Sequence, residues 1–182
     1  MNKRQEANMR VKARITAALL TLLNEKSISD ITISEIISEA GVARASFYRN
    51  YSSKESVITT LITDVLEQFR AEVQYDGDNY YTYDNIRRSF EFFSRYEKQI
   101  LDLHRFGYGS LILEKLNQFH EEIAGNMPQR SIERYELYMY TGSLYNTGLV
   151  WLQNGKAESV DELSEVFYQI GRFPNRNQGS SD

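Results

Sequence analysis

The stretch from Thr32 to Lys54, TISEIISEAGVARASFYRNYSSK, gathers the side chains of this chain best suited to meeting a polyanion. Arg44 and Arg49 sit on one short run, RASFYRN. A guanidinium is a planar fork that matches guanine O6 and N7, but it serves phosphate or solvent as well, so both partners stay open for each arginine. Ser46 lies between them and either reads a base or allows close packing. Ala43 and Ala45 are small enough to let a helix approach closely or to touch a thymine methyl. Lys54 falls where a further helix should start, so its ammonium would stand beside free backbone amides, a ready phosphate site. Thr32 can cap its helix and still present the helix end to a phosphate backbone.

Local signals position these residues. Thr32-Ile33-Ser34-Glu35 is a capping box opening a short helix, with Ile33, Ile36 and Ile37 inward. Gly41 permits the sharp turn in Glu39-Ala40-Gly41-Val42. A second short helix follows over about 44–50, with Val42, Phe47 and Tyr51 at core spacing. Ser52-Ser53-Lys54-Glu55 offers another capping box for a helix reaching about Glu72. Upstream, Val11, Ile15, Ala18, Leu19, Leu22 and Leu23 recur at helical spacing between Met9 and Asn24, with Lys12 and Arg14 placed to reach a phosphate. Residues 1–8 read as a flexible polar arm, from which Lys3 and Arg4, with Arg10 beyond, can reach a minor groove. Two short helices meeting at a glycine turn, between two longer helices, have the layout of a helix-turn-helix.

Beyond this region the pattern stays helical. Gln74 to Asp84 breaks periodicity as a loop, and helices are predicted over about 84–100, 109–124, 130–153 and 159–171. Gly107 and Gly109, Asn126-Met127-Pro128 and Asn154-Gly155 punctuate them, and Ser159-Val160-Asp161-Glu162 caps the last. Residues 172–182 read as a frayed tail. The expectation is an all-α chain with a helix-turn-helix domain over 1–54 and a helical regulatory and dimerisation domain over 55–182.

Composition narrows the function. The 182 residues include no cysteine, which excludes disulfide scaffolds and thiolate metal sites and fits a reducing cytoplasm. No apolar run approaches 18 residues and no leader pattern opens the chain, so no membrane partner is expected. The net charge of −4 conceals an asymmetry. Residues 1–54 hold 9 bases and 5 acids, the remainder 12 bases and 20 acids. A basic head on an acidic body suits a domain that meets phosphates while the rest stays away. His104 and His120 are the only histidines and lack metal-ligand spacing; neither a metal nor another cofactor is expected. No glycine-rich phosphate loop or Ser/His/Asp arrangement appears, so catalysis is not expected either.

The string LLNEK…ITISEI…AGVARASFYRNY…SSKE resembles the TetR family of transcriptional regulators over roughly residues 9–70. The resemblance implies that the helix at 44–50 enters the major groove of double-stranded DNA and that Tyr48 contacts phosphate. Asn50 departs from the histidine usual at its position, leaving its role open. The resemblance also implies a homodimer on a pseudo-palindromic operator. The last two helices would supply its surface, with Gly142, Ser143 and Gly148 allowing close approach and Leu149, Leu152, Val166 and Ile170 giving apolar area, although the same residues suit internal packing. A small-molecule effector would bind in the second domain. Phe90, Phe93, Tyr96, Phe106, Phe119, Tyr135, Tyr138 and Tyr145 can line such a cavity, although for each taken alone plain core packing is the favoured reading. GSLYNTGLVWLQNG, followed by DEL, resembles the C-terminal region of a Firmicutes subgroup that includes regulators related to the dihydroxyacetone kinase coactivator. The expected function is a ligand-released repressor. An activator or coactivator that needs a partner protein, and a helical ligand-binding protein that does not use DNA, are the alternatives.

Overall fold

The computed structural model describes residues 3–72, 81–125 and 131–170, and all regular structure among them is helical. The helices are α1 (Lys3–Leu23), α2 (Ile33–Ala40), α3 (Arg44–Asn50), α4 (Lys54–Glu72), α5 (Tyr83–Arg95), α6 (Glu97–Arg105), α7 (Gly109–Ala124), α8 (Ile132–Gln153) and α9 (Val160–Ile170), with one 3-10 turn at Ile28–Asp30. Two units divide at Val65 and Leu66, inside α4, rather than at residue 54. Most of the expected loop at 74–84, the Asn126-Met127-Pro128 break and the tail from 172 lie outside the described residues.

In the first unit, α1 buries Ile15, Ala18, Leu19 and Leu23, the i, i+3, i+4, i+8 stripe that its period dictates. α2 and α3 pack on it, and the buried set of this unit is completed by Ile36 and Ala40 of α2, Phe47 of α3, Tyr51, and Val57, Ile58 and Ile62 of α4. Phe47 is fully buried and meets the rings of Tyr48 and Tyr51 at 5.5 and 5.8 Å. The expected arm is already helical from Lys3, since Lys3-Arg4-Gln5-Glu6-Ala7 are all good helix formers.

The second unit starts with the end of α4, where Phe69 meets Phe92 and Phe119. α8 is its spine and buries nine residues, from Leu137 to Leu152. On α5, Phe90 packs against Trp151, Phe93 and Phe167. Gly148 lies under the Phe93 ring, where a Cβ would come within 2.7 Å of Cδ1. Arg87 ties α5 to α9 through Asp161 at 2.7 Å, and Lys156 reaches Glu97 at 2.6 Å. Ser159 and Glu162 cap α9 reciprocally, as expected from their spacing.

One expected helix, 84–100, is instead two. The break falls at Tyr96, which leaves helical geometry at φ −101°, ψ 20°. Neither glycine nor proline marks it. Tyr96 stacks on Phe92 and donates its hydroxyl proton to Gln68, a tertiary anchor that local periodicity does not carry.

Candidate nucleic-acid interface

The α2–turn–α3 surface is assembled by short-range chemistry. Thr32 accepts a hydrogen bond from the Glu35 amide at 3.2 Å, while Glu35 accepts from the Thr32 amide at 2.8 Å. Lys26 also pairs with Glu35. The Lys26 hydrogen bond, followed by those from Thr32, holds the Glu35 carboxyl down at about 2. α2 ends at Gly41, whose φ of +58° favours glycine, and the Val42 amide donates to the Ile37 carbonyl at 3.2 Å. Arg14 of α1 closes the turn by donating to the Gly41 carbonyl at 2.9 Å. Arg14 is therefore engaged in fold contacts, and Lys12 pairs with Asp64 at 3.4 Å.

α3 leaves this turn with Ala43 as its cap residue and Arg44 as its first helical residue. Arg44 is exposed but not loose. Its Nη1 donates to Ser34 Oγ at 3.4 Å and its Nη2 to the Tyr48 hydroxyl at 3.2 Å, with the guanidinium 5.4 Å from the Tyr48 ring centre. Tyr48 is 48% exposed, and because its oxygen accepts from Arg44 its own proton remains available to an acceptor such as phosphate. Arg49 is exposed and donates to Ser46 Oγ at 3.0 Å. Asn50 turns back along the helix and donates to the Ser46 carbonyl at 2.8 Å.

Thus Thr32, Ala43, Arg44, Tyr48 and Arg49 are exposed, whereas Ser46, Asn50 and Lys54 are half-buried. Lys54 donates to the Ile31 carbonyl at 2.6 Å and to that of Ser29 at 3.1 Å, leaving one of three N–H donors for an outside acceptor. The cap of α4 also differs from expectation. Ser53 and Ser56 exchange hydrogen bonds at 3.1 Å, so Glu55 is not the reciprocal partner. Sequence reasoning missed Ser34, whose only signal is its place in the first turn of α2, across the glycine turn from Arg44.

The second unit sorts the remaining candidates. Phe90, Phe93, Phe119 and Tyr145 are buried. Tyr145 stands with its hydroxyl 3.4 Å from His104 Nδ1, and burial raises its pKa. Tyr96 is anchored as described, and Phe106 lies beneath the Arg105 guanidinium at 4.9 Å. Two expected cavity residues do not face the interior. Tyr135 is 59% exposed, and Tyr138 is held at the surface by Arg134 and Glu121. His120 is buried, and its Nδ1 donates to the Leu116 carbonyl at 2.9 Å; burial lowers its pKa to about 4. Asp102 pairs with Lys98 and Arg105, Glu121 with Arg134 and Glu122 with Arg70. Among the described residues no group of three or more His, Cys, Asp or Glu side chains is placed to hold a metal. No described helix is long and apolar enough to cross a membrane.

The proposed association residues also divide. Gly148 faces inward under Phe93 of α5, Leu149 and Leu152 are buried as well, and the three offer no surface to a partner. Gly142 has open space above it, and Val166 and Ile170 are exposed. The exposed stripe on α8 runs through Ile132, Tyr135, Met139 and Val150, and all but Tyr135 were overlooked. Their spacing matches one helix face, but α8 is apolar on its inner face as well, which masks the outer phase.

Fold and surface together define a helix-turn-helix unit followed by a second helical unit. Residues 15–60 match the family model described as bacterial regulatory proteins, tetR family. The uncharacterized HTH-type transcriptional regulator YvdT of Bacillus subtilis is 32% identical over 69 residues, 36% of this chain and 36% of that one. The HTH-type transcriptional regulator EthR of Mycobacterium tuberculosis is 32% identical over 65 residues, 36% of this chain and 30% of that one. These matches span about a third of the length of either relative. A solved TetR transcriptional regulator from Streptococcus agalactiae superposes with a TM-score of 0.55 at 19% identity, over 92% of this chain and 97% of that one. Residues 15–60 are therefore similar to the helix-turn-helix region of TetR-family regulators, and the whole chain carries the all-α TetR-like fold.

Proposed function

We propose that this protein is a TetR-type transcriptional regulator: a homodimeric, cytoplasmic repressor that binds a pseudo-palindromic operator and is released by a small-molecule effector, without enzymatic activity. The observation that carries the reading is the exposed set Arg44, Tyr48 and Arg49 on a short helix presented by a family-matched turn. Arg44, at the start of α3, and Arg49 are the candidate base readers. Tyr48, Thr32 and the remaining donor of Lys54 supply phosphate contacts, which carry most of the salt-dependent affinity.

A single unit makes few contacts, and a two-fold dimer doubles them. Gly142, Val166 and Ile170, with the outer stripe of α8, supply an apolar surface for that association. The aromatic interior around Phe90, Phe93, Phe119 and Tyr145 supports an effector with a flat or amphipathic body. The effector must bind two states of the dimer unequally to act at all. The resemblance of residues 142–155 and 161–163 to the subgroup related to the dihydroxyacetone kinase coactivator supports a second reading, activation with a partner protein.

The test is selection of bound sites from random duplex DNA. An enriched palindrome supports the dimeric regulator. Failure of the folded protein to enrich any motif, with and without cell extract, would remove the DNA-binding reading.

A further inference from the structure

We propose that Ser34 is a positioning residue for sequence recognition: from α2 it holds the Arg44 guanidinium in place to read one base pair of each half-site. This rests on the DNA-binding reading above. Arg44 is the first residue of α3, the end of a recognition helix that meets base edges. An arginine there has many rotamers to lose on binding, and each immobilised long side chain weakens recognition. The structure limits that loss in advance. Nη2 is held by the Tyr48 hydroxyl at 3.2 Å, and the guanidinium lies 5.4 Å from the same ring, but both contacts come from α3 itself. Among the described residues, the contact that fixes Arg44 relative to a second helix is that of Nη1 with Ser34 Oγ at 3.4 Å. Ser34 is free for this task because Thr32 and Glu35 complete the cap of α2 between themselves. A guanidinium held through two of its five N–H groups keeps three donors, enough for a bidentate contact with guanine O6 and N7.

The experiment is selection from random duplex DNA with the full-length protein, Ser34→Ala, Ser34→Thr and Arg44→Ala, alongside melting curves and salt titrations. Ser34→Ala should melt as the parent does and lose about three- to tenfold of its preference at one base pair per half-site, the cost of ordering one long side chain. Arg44→Ala should lose preference at the same base pair, and Ser34→Thr, which keeps the hydroxyl, should restore it. The proposal is overturned if Ser34→Ala leaves the preference matrix unchanged. It is equally overturned if Ser34→Ala weakens all sequences alike with a shallower salt slope, which would make Ser34 a phosphate contact. A parent protein that enriches no motif refutes the DNA-binding reading itself and removes the role with it.

Discussion

Protonation of His120 should set the acid limit of the second domain. The imidazole is buried beside Phe119 and Tyr140, donates from Nδ1 to the Leu116 carbonyl, and titrates at about 4 instead of the ordinary 6.5. The unfolded chain therefore takes up a proton that the folded chain refuses. Stability from this source is complete above pH 6.5 and is lost as pH falls through 6.5 towards 4. The full shift corresponds to about 3 kcal/mol, of which about 2 kcal/mol disappears between pH 7 and pH 5. The test is urea unfolding at both pH values, at fixed protein concentration, for the parent and for His120→Asn, whose amide nitrogen lies near the place of Nδ1. The variant starts less stable, but its slope with pH should be flatter by about 2 kcal/mol. Parallel slopes for the two proteins would refute the argument, because they would mean that His120 is protonated equally in both states.

Other perturbations separate roles along the chain. Arg49→Ala should blur preference at one base pair, whereas Tyr48→Phe should weaken all duplexes and, by releasing Arg44 Nη2, also blur the pair that Arg44 reads; bound-site sequencing distinguishes them. Lys54→Ala should weaken all duplexes and also cost about 1–3 kcal/mol in denaturant unfolding, because two carbonyls lose a charged donor. Lys26→Ala should lower DNA affinity about fivefold by leaving the Glu35 anion uncompensated, and adding Glu35→Gln should restore it in binding titrations at low salt. Val150→Arg should shift the protein towards monomer in sedimentation with its helicity intact, while Leu149→Ala, one residue away but buried, should cost about 2–5 kcal/mol of stability.

What could be read from residues alone follows how locally each feature is made. The Thr32–Glu35 cap, the Gly41 turn and the inward Phe47 each depend on chemistry within a few positions, and each lies where its spacing places it. The break at Tyr96 was invisible because its cause, the tie to Gln68, lies 28 residues away. Lys54 reads as a phosphate ligand by sequence, yet two of its donors are taken by carbonyls that no pattern connects to it. Leu149 and Val150 are both apolar and adjacent, so only the packing of neighbouring helices on α8 decides which one faces solvent. Ser34 offers no signal beyond its place in the first turn of α2, since its contact spans two helices across a turn.

The join between Arg14 and Gly41 has a consequence for how this sequence can vary. A Cβ at position 41 would stand 2.6 Å from Arg14 Nη2, and the glycine's own carbonyl is what that guanidinium caps. Two positions 27 apart thus behave as a single heritable character. A side chain at 41 is strained by its backbone angle and must also displace Arg14, while loss of Arg14 strips the turn of its donor without easing that angle. A single substitution is therefore penalised at either position, at 41 chiefly by the backbone angle, since the guanidinium it meets is the far end of a flexible side chain. The angle between α2 and α3 is in this way inherited as part of the first helix, well upstream of the residues that would use it.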